Sequence, residues 1–244
     1  MSFPARPSIL LAASLALLLA LACAPSDPAA MDARATDTAA PAAAPCQKGP
    51  ERLCPVDEGT ADPEFAAYRT ALLQAVAARD LEALRGMVDP AIRTSFGGGG
   101  GFKALLDQWE TGSGSTALWD ELDAILRGGG AFRGEGGNRM FWAPYVYASW
   151  PEDVDAFEHV AAMGSGVVVR ERPDPEGAEV ARVDYEILEL VRREEESDAW
   201  VRVRTQAGVE GWVASGDVRS PIGYRTGFNR IDGTWRMTAL VAGD

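Results

Sequence analysis

The sequence predicts an α+β fold. A helical module spans residues 62–165, a small all-strand barrel over 166–220 follows it or is inserted into it, and a β-hairpin over 221–244 packs back onto the module. Three observations carry this reading. Apolar residues recur at three and four positions ahead of residue 165, they alternate with polar ones from Gly166 onward, and Asp232-Gly233 stands between two alternating segments near the end. With 47% apolar and 24% charged residues in a chain of 244, there is enough to bury for such a fold.

Asp62-Pro63-Glu64 is a helix start, a capping carboxylate followed by proline at the first helical position. Phe65, Tyr68, Leu72 and Val76 then fall on one face of that helix. Asp80 caps a second, shorter helix bearing Leu81, Leu84 and Val88, which Pro90 helps to end. Helical stretches follow over Phe102–Trp109, after five glycines, and over Ala117–Leu126, stopped by Gly128-Gly129-Gly130. Met140–Trp150 is aromatic and reads as extended or looped; Asp153–Met163 suits a short helix. Val167–Arg170, Tyr185–Val191, Trp200–Thr205 and Gly211–Ala214 are short strands separated by polar turns. Such strands cannot bury one face alone, but they can once they close or pack orthogonally.

The strand-rich segment 166–218 resembles a bacterial SH3 (SH3b) domain. Val169-Arg170 and the loop Arg172-Pro173-Asp174-Pro175 open it, Ala178-Glu179-Val180-Ala181 and Ile187–Val191 continue it, and Trp200-Val201-Arg202-Val203 and Gly208-Val209-Glu210-Gly211-Trp212-Val213 close it. Asp184-Tyr185 occupies the place where that family usually turns the chain on a glycine. The resemblance implies a binding module for cell-wall peptide or an envelope protein, with Tyr185, Trp200 and Trp212 bordering its groove. The same aromatics can instead pack the barrel. More faintly, the helices ending in Ala77–Leu84 and the hairpin around Trp235 look like parts of a nuclear-transport-factor type cone fold, which would make the barrel an insert.

The N-terminus reads as an address. Arg6 precedes the 13-residue apolar run Ile9–Leu21, too short for a bilayer-spanning helix of roughly 20 residues and suited to a signal peptide over residues 1–22. Ala20-Leu21-Ala22-Cys23 resembles a bacterial lipobox, which implies a lipid on Cys23 and a place in the cell envelope, at the periplasmic or outer-membrane face where two membranes exist. Ala24 lacks the acid that favours inner-membrane retention in that family. Residues 23–61 then form a tether whose first part is Ala, Pro, Asp and Thr with little to bury. Within it, Cys46 and Cys54 can close a short disulfide loop worth ~2–3 kcal/mol in an oxidising compartment. Metal binding by this pair is the competing reading, disfavoured by its spacing and by a lone His more than a hundred residues away.

The net charge of −13 argues against a nucleic-acid partner and against anionic lipid head groups. Loss of residues 1–22 takes away Arg6 and no acid. Residues 164–220 hold eight Arg against thirteen acids, a net of −5 that suits amine-bearing peptides. No catalytic residue, metal site or cofactor is expected. Gly97–Gly101 lacks the Lys-Ser/Thr ending of a phosphate loop, and His159 has neither a cysteine nor a Gly-x-Ser-x-Gly elbow in support. The alternative is an enzyme with a pocket in the helical half, for which His159, Glu135 or Arg139 would have to converge beside Trp142.

Overall fold

The computed structural model describes residues 45–49, 51–136, 139–191 and 199–243. Cys23 lies outside them, as do the signal segment and the Ala/Pro-rich part of the tether. Helix α1 (Pro63–Ala78) starts where its cap dictates: the Asp62 carboxylate accepts from the amides of Glu64 and Phe65 at 3.1 and 3.0 Å. Asp80 does the same for α2 (Leu81–Met87), accepting from Glu82 and Ala83. Helices α3 (Phe102–Gln108) and α4 (Ala117–Arg127) follow.

A five-stranded sheet faces these helices, in the order β1 (Val88–Arg93), β12 (Thr234–Val241), β11 (Arg225–Ile231), β3 (Met140–Ala143), β2 (Ala131–Arg133). The β11–β12 hairpin turns on Asp232 and Gly233, both at positive φ, as the predicted hairpin requires. Phe65 is wholly buried in this core, its ring 4.3 Å from Phe141, 5.0 Å from Trp235 and 5.4 Å from Phe228. Strand β3 pairs directly with β11. The chain therefore leaves this sheet at Ala143 and rejoins it at Arg225, with everything between inserted.

The insert begins with a short helix, α5 (Tyr145–Ala148), and builds a seven-stranded sheet. Its order is β10 (Val218–Arg219), β4 (His159–Ala162), β7 (Ile187–Leu190), β8 (Trp200–Arg204), β9 (Glu210–Ala214), β5 (Val167–Arg170), β6 (Glu179–Val183). Val160, Val167, Val169, Val183, Leu188, Val203 and Val213 share one core, so the sheet curls until β4 and β6 meet around it. The expected barrel nevertheless does not close. Among the described residues, β10 and β6 end the strand order unpaired with each other, and an extra residue at Val180 bends the β6 edge.

Several elements differ from the sequence reading: Tyr145–Ala148 is a short helix rather than extended, the end of the expected tether packs into the fold through buried Leu53, and two strands stand where helix was expected. Residues 159–162 form strand β4, where Asp153–Met163 suits a helix. Val160 and Ala162 face the curled sheet's core, while Ala161 faces a second cluster with Leu53, Tyr145, Val146 and Ile187. A strand buried on both faces loses its alternation and passes for a helix. Strand β1 runs through Pro90, which the periodicity takes as a helix end; its place at the sheet edge tolerates a missing amide donor.

Cys46 and Cys54 are joined, with Cα atoms 5.5 Å apart. The segment they lead into bridges both sheets. Leu53 N–H donates to Tyr185 O and Ile187 N–H to Glu51 O, while Gly130 N–H donates to Val56 O and Glu58 N–H to Gly130 O.

Candidate binding face

Alternation along β8 and β9 sorts their side chains. Val203 and Val213 are fully buried beneath, with Val201 packed beside them; Trp200, Arg202 and Arg204, with Glu210, Trp212 and Ala214, lie on the outer face. The register sets Trp212 directly between Arg202 of β8 and Arg170 of β5. Trp200 pairs with Ala214, and the same antiparallel register carried two residues along β5 brings Val168 to Ala214. Gly211 lets β5 and β9 approach: a Cβ there would sit 2.6 Å from both Arg170 O and Val169 Cγ1.

A ladder of ion pairs stiffens this face. Glu189 accepts from Arg204 at 2.7 Å, Arg204 donates to Glu210 at 2.8 Å, and Arg202 donates to the other Glu210 oxygen at 3.0 Å. The Arg202 guanidinium then lies 5.8 Å from the Trp212 ring centre. Hydrogen bonds from Arg204 first, then Arg202, hold the Glu210 carboxyl below the ordinary carboxylate range. Both tryptophans are half-buried, with ring surface left to the outside.

Beside the Trp200–Ala214–Val168 row opens a concavity of about 320 Å³, walled by Met163, the Gly164-Ser165-Gly166 turn, Val168 and Asp217. The turn is fixed by Asp184, which accepts from Ser165 Oγ at 2.6 Å and from Gly166 N–H at 2.7 Å. The Ser165 hydroxyl is the main reason that carboxyl stays below its ordinary range. Met163 N–H donates to Asp217 O at 2.9 Å, closing the other wall. Asp217 is exposed, and among the described residues no Lys or Arg pairs with it. The arrangement suits a ligand with a flat apolar part and a cationic end.

Tyr185 stands apart from the two tryptophans. It takes φ 53°, so the position where a glycine is usual in the resembled family does need a left-handed backbone. Its amide donates to Gly164 O and its carbonyl accepts from Leu53 N–H. Glu189 pairs with Arg204, which puts Tyr185 toward the end of β8 opposite Trp200, near Tyr145. Pattern reading could not separate these aromatics, because only the register shows which end of a strand each occupies. Met163, Tyr145 and Asp217 escape the sequence reading for the same reason.

The residues named for an enzyme do not converge. His159 Nδ1 lies 2.9 Å from Asp155 O, and Glu135 sits in an exposed turn. Arg139 stacks 3.6 Å over Phe132 at a separate concavity of about 460 Å³ shared with Asp62, Glu64 and Arg230. Trp142 packs instead against Tyr147, 5.2 Å between ring centres. Among the described residues, no three His, Cys, Asp or Glu side chains are grouped to hold a metal.

Comparison with known proteins agrees with this geometry for the insert. No curated protein matches the chain. A solved chain titled as a variant of Rd1NTF2_05 covers 73% of this chain and 95% of its own at 11% identity, with a TM-score of 0.24, too loose an overlap to assign a fold. The family model described as Bacterial SH3 domain matches residues 165–219, the span that holds β5 to β10 and both tryptophans. Residues 165–219 are a bacterial SH3 domain, a binding module often found in cell-wall-associated proteins.

Proposed function

We propose that this chain is an exported, non-catalytic lipoprotein, anchored through Cys23, that presents its SH3 domain to a cell-wall peptide or an envelope protein. The observation that carries the reading is the SH3 match over 165–219 together with Trp200 and Trp212 on one outer face, two register positions apart, and a hollow at Val168 whose rim holds Asp217, unpaired with Lys or Arg among the described residues. Aromatic surface supplies apolar contact at small entropic cost, and the acid selects for amines. The address supports the same reading. A short apolar run ending in Ala22-Cys23 suits lipidation, and residues 24–45 could span at most about 75 Å if extended. That reach lets the folded part stand off a membrane and scan the wall. The Cys46–Cys54 bond suits an oxidising compartment.

The test is co-sedimentation of the full chain with purified peptidoglycan, Trp212→Ala alongside. Retention that falls at least fivefold in the variant supports the face; retention that is absent, or unchanged by the substitution, removes it. Separately, Cys23→Ser should leave the membrane fraction, and its continued presence there would remove the anchor.

A further inference from the structure

Met163 walls two concavities at once. One is the hollow walled by Val168 and the Gly164-Ser165-Gly166 turn, with Asp217 on its rim. The other, of about 350 Å³, is walled by Val56, Gly128, Gly129 and Tyr145, with Met163 two residues ahead of the SH3 span. Between them stands one unbranched side chain, of the kind that changes rotamer most readily.

The second hollow is lined by a weakly bonded hydroxyl. Tyr145 is 3% exposed, yet the hydrogen-bond partner of its hydroxyl among the described residues is Met163 Sδ at 4.0 Å, a weak acceptor. A buried phenol usually finds an oxygen or nitrogen. Burial first, and the neighbouring Tyr185 second, push this hydroxyl up to about 12, so it remains a donor at any physiological pH. The other charges on this hollow are already matched: Asp57 to Arg69 and Arg127 to Asp123, at 2.7 and 2.8 Å. On the first hollow, Asp217 has no Lys or Arg partner among the described residues.

Resting on the function proposed above, we infer that the binding groove runs beyond the SH3 domain, over Met163, to Tyr145. Its occupant is an extended, amine-bearing peptide. The amine meets Asp217, the chain crosses Met163, and a peptide carbonyl accepts from Tyr145 Oη. An acidic wall polymer is excluded by the charge of the domain, −5 over residues 164–220. The strap over residues 51–58, hydrogen-bonded to Tyr185 and Ile187 on one side and to Gly130 on the other, ties the inserted segment to its host. Specificity is thus shared between the inserted domain and its host.

The probe is a fluorescein-labelled, lysine-containing wall stem peptide, titrated against the full chain by fluorescence anisotropy. Tyr145→Phe keeps the ring and is expected to weaken binding three- to tenfold, and acetylating the lysine amine or making Asp217→Asn at least fivefold. Trp200→Ala reports on the parent reading. If Trp200→Ala weakens binding while Tyr145→Phe and Asp217→Asn leave it unchanged, the SH3 face stands and the extended groove is overturned. Loss in all three, with near-ultraviolet circular dichroism like wild type, supports it. A wild-type chain that does not bind the peptide overturns both.

Discussion

Replacing Gly211 by Ala tests the packing that creates the candidate binding face. The new Cβ would lie 2.6 Å from Arg170 O and from Val169 Cγ1, whereas ordinary contact begins near 3.4 Å. One of the two obstacles is backbone, so β5 and β9 must part by roughly 0.8 Å rather than let a side chain swing aside. Overpacking of this kind costs about 1–3 kcal/mol, offset in part by ~0.5–1 kcal/mol from the lower unfolded-state entropy of alanine. A net loss of about 1–2 kcal/mol corresponds to a Tm lowered by ~2–8 °C in a domain of this size. Because Arg170 and Trp212 are register partners across that gap, peptide affinity should fall as well. The matched control is Gly216→Ala, where nothing lies within 4 Å of the new carbon and stability should stay within ~0.5 kcal/mol. Thermal and urea unfolding of the three proteins decide it. A Gly211→Ala chain as stable as wild type would refute the close approach of β5 and β9.

Phe65→Ala should cost about 3–5 kcal/mol in urea unfolding, since the ring is fully buried among Phe141, Phe228 and Trp235; a loss below ~1 kcal/mol would contradict that core. Cys46→Ser should lower stability by ~2–3 kcal/mol through the freed loop, and dithiothreitol should reproduce the effect on wild type but not on the variant. Asp184 is held below the ordinary carboxylate range by Ser165 and Gly166. Its contribution is therefore whole above the unfolded value near ~4 and drains as pH falls toward the folded one. Asp184→Asn should flatten the acid limb of stability against pH, and an unchanged limb would refute the role given to that carboxylate.

Much of the fold was legible because its signals are local. Asp62-Pro63 and Asp80 cap helices by reaching amides two and three residues ahead, and Asp232-Gly233 turns a hairpin within its own four residues. The alternating Val201 and Val203 of β8 likewise report one inward face. What pattern could not carry is relation across distance. Strand β4 is buried on both sides, β1 hides a proline on an edge, and the barrel's failure to close depends on which strands end the order. The face was half legible: Trp200 and Trp212 share it, while Tyr185 belongs to the other end of β8. Asp217 and Met163 give no sequence signal, since their hollow is made by two separate segments, 163–168 and 216–217, meeting.

The most direct measurement is a hydrogen-exchange footprint of the full chain with and without soluble peptidoglycan fragments. The account predicts slowed exchange at residues 164–168, 200–204 and 210–217, the strands and turn around the two tryptophans. Protection confined to α1, α4 and the five-stranded sheet, or none at saturating fragment, would contradict it.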